Sequence, residues 1–300
     1  MMKEQFTISC ESTVDLPYSY IASRGARVLF YTYTVDETEY TDDMGRDPEA
    51  LPRFYALLEK GKCPHTSQIN EMRYYDYFKS LLGEGDILHV AFGTGMTPSY
   101  HNAVRAAEAL MEENPGRRIT VIDSLCSCTG YGLLTEAALD LRDEGKSMDE
   151  IAAWLAENRL RVHPQFFSTD LTMFKRSGRV SGPVALVGNI FGIHPVMHLN
   201  EEGRIVAYDK VRGKKNAIAK TVETVLSEID GGARAEGKIY ISHSNCPELA
   251  EQTRIALAAA LANQGERIAF AEIGTIIASH CGPGTVAVFY FGTPRAYNQK

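Results

Sequence analysis

The sequence predicts an α/β fold in two domains, residues 1–158 and 159–300, on three observations. Short apolar runs alternate with helix-period segments through the first half, the pattern of layered α/β proteins. Polar loops follow three of those runs, at the carboxyl ends where open α/β sheets bind ligands. After residue 158 the alternation gives way to a glycine-rich basic loop, a hairpin pattern and further strands, an α+β organisation. With 44% hydrophobic residues, a chain of 300 has enough apolar side chains for a well-buried core.

In the first half, FTISC (6–10) precedes a helical pattern over 16–23, and ARVLFYTYTV (26–35) reads as one β-rich run before a helix over 48–58. A helix over 70–82, strand DILHVAF (86–92), helix 98–112, strand RITVID (118–123) and helix 129–142 continue the alternation. The strands are short and apolar, as parallel strands buried on both faces tend to be. A Gly-Lys-Ser turn at 145–147 then leads into an amphipathic segment over 148–158.

In the second half VHPQFFSTDLTMF reads as a strand entering a short helix, followed by the loop RSGRVSG and a small-residue helix over 183–189. IHPVMHLN and RIVAYDKV, joined through Glu201, Glu202 and Gly203, have the spacing of a hairpin. A helix over 214–229, strand KIYISHS, a helix over 247–263 and the strands RIAFAEI and TVAVFYF complete the chain.

Composition narrows the function. A formal charge of -7, from 31 Lys+Arg against 38 Asp+Glu, argues against nucleic acid and anionic lipid surfaces as partners. No apolar stretch approaches the roughly 20 residues that span a bilayer, and MMKEQFTISC lacks a secretory signal pattern, so a soluble cytoplasmic protein is expected. The six cysteines (10, 63, 126, 128, 246 and 281) include no CxxC pair and read as reduced thiols. Cys126 and Cys128 form a CxC without partner ligands in sequence, so no metal is expected, and no cofactor.

Several polar turns remain. GTGMTPSYHNA (93–103) lacks both the Walker ending and the GxGxxG fingerprint, which leaves Thr94 and Thr97 delivered to a helix N-terminus, as an anion site or a plain cap. HTSQIN (65–70) offers Thr66, Ser67 and Gln68, while STVDLP (12–17) offers Ser12, Thr13 and Asp15 near a helix start. Lys175, Arg176 and Arg179 in one glycine loop, with Arg212, Lys214 and Lys215 in another, suit a phosphate-bearing ligand, an acidic partner or a solvated face. His280 beside Cys281 invites a nucleophile and base reading. Adjacent residues of an extended segment face opposite ways, so His280 as donor to an anion is the simpler reading.

In this order, these pieces resemble the DegV family of fatty-acid-binding proteins over nearly the whole chain. The resemblance rests on SCESTVDLP, TSQ at 66–68, GTGMTPSYHNA, VIDSLCSCTGYGLL, SGRVSGPVALVGNIFGIHPVMHLNEEGRI with DKVRGKKNAI, and IGTIIASHCGPGTVAVFYFG. It implies a DegV-like two-domain fold, with an N-terminal parallel-sheet domain, a C-terminal α+β domain and one long-chain fatty acid between them. By the same resemblance Thr66, Thr94 and His280 hold the carboxylate, and Arg179 is the arginine of the central block. It also implies a carrier, not an enzyme, that presents the acid to a separate fatty acid kinase for acyl phosphate formation. Candidates to line the acyl tunnel are Phe30, Phe92, Met96, Phe167, Leu186, Ile190, Phe191, Ile276 and Ile277. A monomer is expected. The competing reading is a hydrolase or acyltransferase using Cys281 and His280. Four positions depart from the family pattern: Glu11 for an aspartate, Gly93 for a serine, Pro98 for a glycine and Cys281 for a threonine.

Overall fold

The structure, a computed structural model, describes residues 5–179, 192–263 and 265–296. The helix expected over 183–189 and the candidates Leu186, Ile190 and Phe191 lie outside the described residues. Among the described residues no helix is long and apolar enough to cross a membrane.

A parallel sheet forms first, from β1 (Phe6–Glu11), β2 (Arg27–Leu29), β6 (Asp86–Ala91) and β7 (Ile119–Asp123), in the order β2-β1-β6-β7. Its connections include α1 (Tyr18–Ser23), α3 (Glu71–Leu81) and α4 (Ser99–Glu113), while α5 (Cys128–Asp143) and α6 (Met148–Asn158) follow its last strand. Local chemistry sets the ends of these helices. Asn70 accepts the Arg73 N–H ahead of α3, and Ser147 with Glu150 closes a reciprocal capping box on α6.

The run at 26–35 is not one strand. β1 ends at Glu11, and the Tyr31 N–H is taken by the Ser12 hydroxyl at 3.1 Å, so pairing with β1 stops there. The chain then turns into a separate antiparallel sheet, ordered β4-β3-β5, made of β3 (Thr32–Val35), β4 (Thr38–Thr41) and β5 (Pro64–Thr66). Tyr33 stacks on Tyr40 and meets the edge of Phe54 from α2 (Ala50–Glu59), which anchors this small sheet.

After α6 the chain passes a short turn into β8 (Val162–Ser168) of a six-stranded sheet. Its order is β10-β9-β8-β13-β11-β12, with β9 (Ile193–Leu199), β10 (Ile205–Arg212), β11 (Ile239–His243), β12 (Ile268–Glu272) and β13 (Thr285–Phe291). All pairs are antiparallel except β11 with β12. One face is covered by α8 (Lys214–Glu228) and α9 (Pro247–Ala260) over Phe167, Ile239, Ile241, Val286 and Val288. The opposite face carries Phe166, Ala287 and Phe289 into the main core, where the largely buried α5 packs on β1 and on β8, β11 and β13. Two further helices belong to this half, α7 (Thr172–Ser177) and α10 (Thr275–Cys281).

One buried charge ties the first sheet together. Glu11 is fully buried, and its carboxylate accepts the Phe92 N–H at 2.6 Å, the Tyr74 hydroxyl and His89 Nε2 at 3.2 Å. His89 Nδ1 in turn pairs with the Ser9 hydroxyl at 2.7 Å, and the Glu11 N–H donates to the Tyr131 hydroxyl at 2.8 Å. β1, β6, α3 and the chain just after β6 therefore converge on one carboxylate, and α5 holds the backbone of the same residue. Losing one of these hydrogen bonds to a buried charge costs about 1.5–3 kcal/mol.

Gly93 explains one departure from the family pattern. Its N–H donates to the Cys126 carbonyl at 3.0 Å, and a Cβ here would lie 2.6 Å from Cys126 N and 2.8 Å from Cys126 O. Backbone fills the place of a side chain. Gly93→Ser is therefore expected to cost about 1–3 kcal/mol, the usual scale for overpacking. A urea titration checks this as a lower midpoint at unchanged slope.

Candidate functional site

A cavity of about 260 Å³ lies where the three sheets meet. Strand alternation makes one wall: on the face of β13 and β8 that looks inward, Phe289 pairs with Pro164 and Ala287 with Phe166, and all four line the cavity. The loop after β6 contributes Phe92, Met96, Thr97 and Pro98, and the start of α5 contributes Cys128. The hairpin of β9 and β10 adds Leu199 and Ile205, while α7 and α10 add Phe174, Ile276 and Ile277. These walls are chiefly apolar.

Polar groups gather where β5 meets α10. The Thr66 hydroxyl and His280 Nε2 are 2.8 Å apart, and Ser67, Gln68 and Arg179 also line the cavity. Among the described residues, His280 Nδ1 is buried without a hydrogen-bond partner. Burial, and secondarily the positive charge of Arg179, lowers the imidazole pKa to about 4, so the ring is neutral at physiological pH. A neutral imidazole offers one N–H and one acceptor lone pair.

Residues 275–281 form a helix, not the extended segment considered from sequence, so successive side chains diverge by roughly 100°. His280 reaches Thr66, while Cys281 is buried and its thiol is pushed up to about 12, chiefly by burial. A thiol with that pKa supplies almost no thiolate at neutral pH.

Among the residues singled out from sequence, Thr66, Ser67, Gln68, Thr97, Arg179, His280, Cys281, Phe92, Met96, Ile276 and Ile277 line the cavity, and Thr94, Phe30 and Phe167 do not. Asp123, at the end of β7, accepts both the Thr94 hydroxyl at 2.6 Å and the Thr94 N–H at 3.1 Å. Thr94 is thus held to the loop; Thr97 lines the cavity, and its hydroxyl pairs with the Ser99 hydroxyl at 3.0 Å and accepts the Ser99 N–H at 3.3 Å. Phe30 lies beside Tyr18, with the Arg46 guanidinium 4.4 Å above its ring. Phe167 faces α8 by strand parity, and its neighbour Phe166 takes the cavity side. Phe166, Phe174 and Phe289 are lining residues that were not singled out from sequence; period-two alternation along TVAVFYF and HPQFFS is the signal that locates two of them.

Fold and site together define a three-sheet α/β protein that encloses an apolar cavity with a small polar corner. The family profile described as an uncharacterised protein of the DegV family matches residues 5–293, and the chain belongs to that family. A DegV domain-containing protein of Clostridium perfringens is 33% identical over 293 residues, covering 96% of this chain and 98% of the relative. A fatty acid binding DegV family protein of Streptococcus agalactiae superposes with a TM-score of 0.83 at 27% identity, covering 97% of this chain and 99% of its own. A DegV family protein of Thermus thermophilus, whose solved structure concerns its fatty acid binding, gives 0.84 at 26% identity, covering 96% and 99%.

The His280 pKa has a consequence for stability. An unfolded imidazole takes up its proton near 6.5, whereas the folded one resists until about 4. The unfolded state therefore binds more protons across that window, so this contribution is full above pH 6.5 and is lost as pH falls toward 4. The loss amounts to at most about 3 kcal/mol. Urea unfolding from pH 7.5 to 4 is expected to show a shallower decline for His280→Gln than for the wild type; parallel curves would contradict the assignment.

Proposed function

We propose that the chain carries one long-chain fatty acid in this cavity and presents its carboxylate to a separate fatty acid kinase. The observation that carries the reading is the Thr66–His280 pair on the wall of an otherwise chiefly apolar cavity. The fatty acid binding of similarly folded proteins at 26% and 27% identity supports it. The assignment of two domains, 1–158 and 159–300, with the ligand between them, belongs to the same proposal.

A bare carboxylate loses several kcal/mol of solvation in a low-dielectric cavity and must find donors there. The Thr66–His280 hydrogen bond uses one of the pair's two protons, so the pair supplies one donor, the Thr66 hydroxyl or the His280 Nδ1–H by tautomer, with Ser67, Gln68 and Thr97 as further polar neighbours. These groups are neutral. They fix the oxygens without the strong ion pair that a lysine would form, which leaves one oxygen available as a phosphoryl acceptor. In that transfer a carboxylate oxygen bonds to the γ-phosphorus of ATP held by the kinase, and ADP departs. Arg179 lies close enough for its charge to act on His280, so it is placed to steer the incoming phosphoryl group or to dock the kinase.

The tail provides the affinity. Each buried CH₂ contributes ~0.8 kcal/mol, so a dozen give on the order of 10 kcal/mol before the entropy of ordering them. Phe92, Met96, Phe166, Ile276 and Ile277 are apolar walls for that chain. Cys281 lines the same cavity as His280, and its elevated pKa favours carriage over acyl transfer through a thiolate.

Native mass spectrometry of the purified chain is expected to show a co-purifying long-chain acid; a nucleotide in its place would sink the proposal. Thr66→Val is expected to weaken binding of the free acid about 10- to 100-fold, the worth of a charge-assisted hydrogen bond, and to spare a methyl ester. Arg179→Ala is expected to leave acid binding nearly unchanged and to slow kinase-dependent acyl phosphate formation. Equal losses in both assays would refute the role given to Arg179.

A further inference from the structure

A second cavity, of about 460 Å³, lies on the other side of α10 and is acidic. It collects Ser12 and Asp15 from the turn after β1, Asp42 from the end of β4, Glu272 from the end of β12, and Gly274 and Thr275 at the start of α10. No Lys, Arg or His is among its described lining residues. Two of its carboxylates, Asp43 and Asp47, are committed to loop backbone, and Asp47 also to Arg53.

Asp15 and Asp42 differ from these. They are 8% and 3% exposed, and Asp15 Oδ1, Asp15 Oδ2 and Asp42 Oδ2 are buried without a hydrogen bond of acceptable geometry. The Cys128 thiol and the Gly274 N–H approach Asp15, and the Ser12 hydroxyl approaches Asp42, without closing one, while Asp42 uses Oδ1 for the Thr275 N–H and hydroxyl. Both carboxylates converge on Gly274, where a Cβ would lie 2.5 Å from Asp15 Oδ1 and 3.3 Å from Asp42 Oδ1. Two converging buried carboxylates with unfilled lone pairs, beside room for water, lack a positive counter-charge.

We propose that this cavity binds one hard divalent cation of the Mg²⁺ or Ca²⁺ class, held by the Asp15 carboxylate and Asp42 Oδ2. Such ions take oxygen ligands, and Mg²⁺ in particular is often held by one or two carboxylates with waters completing its shell. A divalent ion matches the formal charge of the pair. It joins the turn after β1, the small antiparallel sheet and α10, and its site is separate from the proposed acid-binding cavity.

The test uses the full chain, stripped with EDTA and dialysed against Mg²⁺ or Ca²⁺ at ionic strength held constant with KCl, which screens exposed charges equally. Equilibrium dialysis with elemental analysis is expected to find about one divalent ion per chain, with a melting temperature that rises with its concentration. Asp15→Asn removes the charge and no satisfied hydrogen bond, and Gly274→Ala pushes a methyl between the carboxylates while keeping both charges. Each is expected to weaken uptake at least about tenfold, as loss or misplacement of ligands does, with circular dichroism reporting a retained fold. Absence of stoichiometric uptake by the wild type at millimolar cation, as two protonated carboxyls would produce, overturns the proposal. Wild-type uptake by either folded variant also overturns it.

Discussion

The cavity's first wall depends on a carboxylate that never meets water. Glu11 is fully buried, and such a charge persists only where donors surround it. Here the donors come from three elements, so satisfying the charge also fixes α3, the end of β6 and the chain at Phe92 relative to β1. Phe92 is both a hydrogen-bond donor to Glu11 and a lining side chain of the cavity. The position of an apolar wall is thereby set by a polar interaction behind it.

The long alternating segments were legible because their physics is local. Apolar periodicity located the four parallel strands' main runs and the helices between them, and the hairpin of β9 and β10 followed from its spacing and Gly203. Legibility failed where a distant partner decides. The break after Leu29 depends on the Ser12 hydroxyl claiming the Tyr31 N–H. Thr94 and Thr97 are equivalent in sequence, yet Asp123 engages the first and leaves the second toward the cavity. The short α10 was missed because its seven residues, TIIASHC, carry too few turns to show a period, and its start is fixed by Asp42 from another segment. Phe166 and Phe167 differ by one step of strand parity, a distinction that needs the register with β13.

Two departures from the family pattern have a physical account at their own positions. Gly93 leaves no hydroxyl, and the Cys126 backbone occupies the space and takes the Gly93 N–H. Cys281 is buried near the Ser244 and Thr285 hydroxyls, polar neighbours that suit a threonine hydroxyl as well as a thiol. Neither change removes the Thr66 and His280 pair. Pro98 sits immediately before α4, where a fixed φ is compatible with helix entry.

The contact between Thr66 and His280 spans 214 residues of chain. It closes only after β5 and α10, which belong to opposite ends of the sequence, have been brought together. An incompletely synthesised chain can collapse its early apolar surfaces, but it has no histidine to complete the polar corner. Contacts of such separation form late because their loop-closure entropy must first be overcome. Completion of the polar corner thus becomes a signature of the finished molecule, and under the proposed function discrimination of an acid from any other oil begins with α10.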